Sequence, residues 1–232
     1  MTYAVLSSKA PKKCIDKLKS LGYTVLLLPS FERLCAPVDT HADMLFFSYN
    51  NYIVTHREYY QEAKDIFDKL SLDRDNKLIL SDDDIEAEYP RDIIFNAIML
   101  GGKLYSNTPY TSKAILELCK DTVKVAQGYA ACSTLALGNK CVITADRSLA
   151  REYEKNGIKV NLISNGSISL PPYDCGFIGG ASGVDGDTVY FCGDIDTHTD
   201  SDVIKAAIEQ NGMKYTSLSD EPLSDVGGIK FF

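Results

Sequence analysis

The sequence predicts one α/β domain over residues 1–232, built from five β-β-α-β repeats closed into a ring with pseudo-five-fold symmetry. Three observations carry that prediction. A helix followed by an apolar strand recurs five times along the chain. A strand, a tight turn and a second strand precede the helix in four of the five units. The remaining unit is split between the two ends of the chain, so that pairing the ends closes the ring. Dividing 232 residues by five gives roughly 46 per unit, a period of repeat and propeller architectures.

The chain opens on Tyr3-Ala4-Val5-Leu6-Ser7, an apolar run that reads as a second strand with no first strand before it. It has neither the charged start nor the long apolar core of a signal peptide. The segment from Cys14 to Leu21 has helical apolar spacing, stops at Gly22 and runs into a strand over 23–28. In the second unit Asp43–Phe47 reads as a first strand, Tyr49-Asn50-Asn51 as the turn and Tyr52–Val54 as the second strand. A helix over Glu58–Leu70 and a strand over Lys77–Leu80 complete it.

The third unit reads as Asp92–Phe95, Gly101-Gly102, Lys103–Tyr105, a helix over Ser112–Cys119 and a strand over 121–126. The fourth reads as Ser133–Leu137, the turn Gly138-Asn139, Cys141–Ile143, a helix over 149–156 ending at Gly157 and a strand over 158–163. The fifth has Gly179–Val184, the turn Asp185-Gly186-Asp187, Val189–Phe191, a helix over 203–211 ending at Gly212 and a strand over 213–218. Gly-Asn and Asp-Gly tolerate positive φ, which hairpin turns require. The chain closes on Gly227-Gly228-Ile229-Lys230-Phe231-Phe232, a first strand with no second strand after it. Closure also removes two exposed sheet edges.

A net charge of -8 argues against a nucleic-acid surface and against an anionic membrane surface. No apolar run reaches the roughly 18 residues of a membrane span. Seven cysteines at irregular spacings, without a CxxC pair, argue against a zinc knuckle and suit a reducing compartment, so the expected location is cytoplasmic. No cofactor is implied. The acidic run Asp82-Asp83-Asp84 reads as a solvated loop. Gly179-Gly180-Ala181-Ser182-Gly183 matches no phosphate-loop pattern and reads instead as backbone packed closely at the centre of the ring.

The five-unit architecture resembles the pentein or α/β-propeller superfamily of guanidino-group-modifying enzymes, and most of all a bacterial branch of it without an assigned reaction. His41-Ala42-Asp43 is similar to that superfamily's His-x-Asp motif, Arg91-Asp92 to its Arg-Asp motif, and Gly227–Phe231 to its terminal glycine-rich strand. The resemblance implies a cysteine nucleophile, carboxylates that hold a planar cation by paired hydrogen bonds, and a histidine that moves protons. It assigns the nucleophile position to Phe231, and no Glu-Gly-Gly motif is present.

Cys132, just before the first strand that opens at Ser133, is the thiol placed to substitute for that nucleophile, and proximity to His41 would lower its pKa. The expected site is therefore His41 and Cys132 as catalytic groups, with Asp43, Asp92, Arg91 and Ser133 binding substrate. Each has a plainer alternative: Asp43 and Asp92 as acceptors for backbone N–H at strand starts, Cys132 as a buried thiol, His41 as a structural histidine. His56 and His198 read as surface or capping residues. Two functions stay open: hydrolysis or deimination of a small cationic guanidino or amidino compound, and a non-catalytic ring that binds a protein or small-ligand partner. The sequence leaves the oligomeric state undetermined.

Overall fold

The computed structural model describes residues 2–232. Strand β1 (Tyr3–Ser7) leads through helix α1 (Lys12–Ser20) to β2 (Thr24–Leu28). A short helix α2 (Ala42–Leu45) precedes the hairpin β3 (Phe46–Tyr49) and β4 (Tyr52–His56). Helices α3 (Arg57–Glu62) and α4 (Lys64–Arg74) then lead to β5 (Lys77–Ser81). The next unit is β6 (Ile98–Leu100), β7 (Lys103–Ser106), α5 (Lys113–Leu118) and β8 (Thr122–Lys124). It is followed by β9 (Thr134–Ala136), β10 (Cys141–Thr144), α6 (Arg147–Lys155) and β11 (Lys159–Leu162). Last come β12 (Ser182–Asp185), β13 (Thr188–Phe191), α7 (Ser201–Gln210), β14 (Lys214–Ser217) and β15 (Lys230–Phe231).

These strands form five three-stranded sheets of one design: β3-β4-β5, β6-β7-β8, β9-β10-β11, β12-β13-β14 and β15-β1-β2. In each, the first strand is antiparallel to the second, as a hairpin allows. The second is parallel to the third, which requires a crossover. The helices supply those crossovers. The split unit forms as expected: Val5 pairs with Lys230 and Ala4 with Phe231, antiparallel, across the two ends of the chain.

The repeated helices pack by one rule. Cys14, Ile15 and Leu18 of α1, and Leu149, Ala150 and Tyr153 of α6, are buried at positions i, i+1 and i+4, one face of a 3.6-residue period. Gly22, Gly157 and Gly212 follow α1, α6 and α7 with φ of +94°, +75° and +70°, the left-handed turn that lets a strand start at once. Asp146 caps α6 by accepting from Ser148 N and Leu149 N.

All five first strands start later in the chain than the sequence predicts: β9 by one residue, β12 at Ser182 and not Gly179, β15 at Lys230 and not Gly227. In the other two the preceding stretch takes another form. Residues 43–45 belong to α2, and β3 starts at Phe46; residues 92–95 are irregular, and β6 starts at Ile98. Both preceding stretches are apolar because Met44, Leu45, Ile93, Ile94 and Phe95 are core residues. A short apolar run has the same composition whether it is a strand or a buried turn.

Candidate functional site

The five first strands β3, β6, β9, β12 and β15 line one cavity of ≈ 810 Å³, within the size range of small-molecule sites. The backbone turns that lead into these strands meet at its inner end. Gly180 N donates to Cys132 O at 3.0 Å, Gly228 N to Gly180 O at 2.8 Å, and Asp43 N to Gly227 O at 3.1 Å.

Counting back two residues from each first strand gives Met44, Asn96, Cys132, Gly180 and Gly228. These are the equivalent positions of the five units, and the first three touch. Asn96 Nδ2 lies 3.0 Å from Cys132 Sγ and 3.3 Å from Met44 Sδ. Asn96 Oδ1 accepts from Ala131 N at 2.8 Å, so the side chain braces the turn that carries the thiol. The strand register makes Asp43 equivalent to Phe95, not to Asp92, which lies three residues earlier.

Asp43 is buried beside the cavity, and Cys132 Sγ donates to its Oδ2 at 2.7 Å. Its other oxygen, Oδ1, has no hydrogen-bond partner among the described residues. An orphaned buried acceptor costs about 1–3 kcal/mol, more when charged. Burial first, and then the nearby charge of Asp225, push the Asp43 carboxyl up to about 7. Asp225 is itself buried and pushed up to about 6 by burial, although it accepts from Gly227 N at 3.0 Å and Phe177 N at 2.8 Å. His41 Nδ1 lies 3.7 Å from Asp225 Oδ1, and burial pushes the imidazole down to about 4, so it is neutral at pH 7. Burial, and then the charges of Asp43 and Asp225, raise the Cys132 thiol well above its ordinary value. That reverses the expected direction, because the thiol is buried and its neighbours are carboxylates and not an imidazolium.

The predicted residues thus divide. Cys132 and Asp43 are in contact, and His41 reaches the same cluster through Asp225. Asp92 is buried apart from the cavity lining; its Oδ2 accepts from the Tyr129 hydroxyl at 2.7 Å and its Oδ1 has no partner among the described residues. Tyr129 stacks against Phe177 at 6.0 Å and packs against Tyr89 at 5.6 Å, so Asp92 sits under an aromatic layer. Arg91 is half-exposed and pairs with Asp84 at 2.8 Å and Glu86 at 3.3 Å. Its guanidinium therefore ties down the acidic loop, away from the cavity. Exposed pairs of this kind contribute little. Arg91→Ala is expected to change stability by less than about 1 kcal/mol and to leave binding in the cavity unaltered, as denaturant titration and calorimetry would read.

Ser133 turns away from the cavity. Its hydroxyl is buried without a partner among the described residues, and the residue lines a smaller pocket of ≈ 140 Å³ with His198 and Asp146. His56 and His198 do act as local caps, through Nδ1 acceptors for Glu58 N at 3.2 Å and Asp200 N at 2.9 Å, but both are buried. Each carboxylate of the acidic run has its own partner. Asp82 pairs with Arg57, Asp83 accepts from Ser112 and from Lys113 N, and Asp84 pairs with Arg91.

Sequence reading missed Asn96 and Asp225. Asn96 was legible only with the correct start of β6, which would have aligned it with Cys132. Asp225 lies outside every strand and reaches the cluster because Gly180 leaves room for it. A Cβ on Gly180 would sit 2.0 Å from Asp225 Oδ1.

A family model described as a family of unknown function (DUF6873) matches residues 5–230 of the chain. No curated protein matches in sequence. Three solved structures share the fold. DDAH from Pseudomonas aeruginosa, a cysteine-to-serine mutant complexed with citrulline, is 11% identical with a TM-score of 0.53, covering 94% of this chain and 92% of its own. The agmatine deiminase of C. jejuni is 9% identical with a TM-score of 0.55, covering 94% and 87%. SxtG, an amidinotransferase from Microseira wollei in the saxitoxin biosynthetic pathway, is 10% identical with a TM-score of 0.53, covering 88% and 72%. All three are members of the pentein superfamily, and identities this low carry the fold alone.

Proposed function

The chain belongs to the family of unknown function DUF6873, and from its site we propose that it binds a small guanidino or amidino cation in the central cavity and transforms it through Cys132. The observation that carries this reading is Asp43: a buried carboxylate at the cavity wall with one oxygen on a thiol and the other without a partner. A planar cation supplies the donors that Oδ1 lacks and favours the ionised form of a carboxylate that burial disfavours. The five sheets are read as blades of one closed ring around that cavity, with residues 1–232 as a single domain. No described helix is long and apolar enough to cross a membrane, and the reading places the chain in the cytoplasm.

The chemistry follows from the contacts. Burial holds the Cys132 thiol up, and the negative charges that add to it are offset when the cation binds beside Asp43. Asp43, held ionised by the bound cation and 2.7 Å from Sγ, takes the thiol proton as sulfur bonds to the amidino carbon. The departing amine leaves with that proton. Water then displaces sulfur and restores the thiol, with proton transfer relayed through Asp225 and His41. Asn96 holds Sγ at the end of its turn throughout. Arg91 and Asp92 have no part in this scheme, and Ser133 none.

A second reading has its own support. The thiol is protonated and fully buried in the free protein, and Phe231 stands where the resemblance puts a nucleophile; both suit a ring that binds without reacting. Chloroacetamidine separates the two, because it joins an amidinium to a carbon that a thiolate attacks. Rapid labelling at Cys132 alone, mapped by mass spectrometry and suppressed by Asp43→Asn, is the result expected for catalysis. Slow labelling spread over the seven thiols overturns the nucleophile assignment and leaves the binding reading.

A further inference from the structure

Arg33, Arg57 and Arg91 each reach a carboxylate, in a chain whose acids outnumber its lysines and arginines by 32 to 24. Arg147 and Arg151 reach none among the described residues. Both stand on α6, four residues and so about one turn apart. Two arginines side by side without counter-charges are out of keeping with a surface this acidic.

Arg151 lines an open groove of ≈ 570 Å³. Glu152 and Lys155 of the same helix line it too, and the neighbouring unit supplies Lys124 from β8, the buried Val125 that follows it, and Asn107 just after β7. The charged lining is therefore three bases against one acid. Lys155 Nζ lies 2.6 Å from Glu152 Oε1, so those two charges offset each other. Lys124 and Arg151 remain, both exposed and both without a carboxylate among the described residues. The groove shares no lining residue with the central cavity.

The chemistry of the two free cations selects the ligand. A guanidinium fork matches two oxygens of a phosphate, and an ammonium adds a compact point charge. The volume is that of a small-molecule site. A long polyanion would run out of the groove onto a protein of net charge -8 and be repelled there, which excludes a nucleic acid. Val125 and Asn107 offer an apolar and an amide contact to the uncharged part of a small ligand. We infer that this groove, between α6 and the sheet β6-β7-β8, binds a small phosphorylated molecule whose phosphate groups sit between Arg151 and Lys124. It is a second site, independent of the reaction proposed at Cys132.

Calorimetric titration of the purified chain with inorganic pyrophosphate tests this. The expected result is one site, weakened about tenfold or more by the double substitution Arg151→Gln and Lys124→Gln, since charge-assisted contacts are lost from both sides of the anion. Both side chains are exposed and pair with nothing, so the double variant is expected to keep its fold, which circular dichroism would check. Lys230→Met, in the central cavity, is expected to leave pyrophosphate affinity unchanged. Absence of pyrophosphate binding overturns the inference. So does binding that survives the double substitution, and if Lys230→Met abolishes it the anion belongs to the central cavity instead. A hexaglutamate peptide that binds more tightly than pyrophosphate overturns the phosphate assignment in favour of an acidic protein partner.

Discussion

Asp43→Asn is expected to weaken binding of a guanidinium probe by about 100-fold or more and, at the same time, to make the free protein more stable above pH 7. The first effect follows from removing the charge that the cation pairs with in a buried setting, where such contacts are worth about 2–5 kcal/mol. The second follows from linkage. The Asp43 carboxyl titrates near 7 in the folded chain against an ordinary value of 3.8. Between those pH values the folded protein keeps a proton that the unfolded chain has released, so stability falls as pH rises through this window. A shift of this size corresponds to about 2–4 kcal/mol once relaxation around the buried group is allowed for. Asp225, raised to about 6, contributes in the same direction and remains in the variant.

Urea titrations at pH 5 and pH 8 would measure this directly. The wild-type chain is expected to lose stability between them, and Asp43→Asn to lose clearly less. Identical losses in both proteins would show that Asp43 ionises freely and is not a strained buried carboxylate. Binding has the opposite pH dependence: affinity for a guanidinium probe rises toward pH 8, because the cation selects the ionised carboxylate.

Gly180→Ala is expected to lower stability by about 3 kcal/mol or more, which for a chain of this size is roughly a 6–12 °C fall in Tm. The added methyl would lie 2.0 Å from Asp225 Oδ1 and 2.4 Å from its Cγ. Asp225 cannot step back, because the N–H groups of Gly227 and Phe177 hold both of its oxygens. Gly180 N also donates to Cys132 O, so the displacement reaches the thiol, and chloroacetamidine labelling is expected to fall as well. Gly138→Ala provides the contrast. It has φ of +74° but nothing within 4 Å of the added carbon, so it carries backbone strain alone, about 1 kcal/mol. Equal losses at the two positions would mean that Asp225 is not locked in place.

The repeat, the helix ends at Gly22, Gly157 and Gly212, and the pairing of the two ends of the chain were all legible in the sequence. Each depends on local information: apolar period, a residue that tolerates positive φ, a strand that lacks its hairpin partner. The close packing at Gly179–Gly183 was legible for the same reason, since glycine there fits neither a phosphate loop nor an ordinary strand. Cys132 could be named as a candidate because it precedes a first strand, and Asp43 because His41-Ala42-Asp43 resembles a known motif.

Tertiary structure alone decided how those candidates combine. Strand β6 starts further beyond Asp92 than β3 does beyond Asp43, and that difference was enough to align the two aspartates wrongly and to hide Asn96. Buried turns and strands share one apolar composition, so the offset left no mark in the sequence. Arg91 beside Asp92 looked like a motif, but its charge is taken up by Asp84 and Glu86 in the loop that it closes. Most of all, the electrostatics of Cys132 depend on Asp43 and Asp225, which are distant from it in the chain and adjacent to it in space. Local sequence sets which residues stand at a strand start. Which charges then face one another inside a low-dielectric centre is set by five such starts converging, and no stretch of the chain shorter than the whole contains that information.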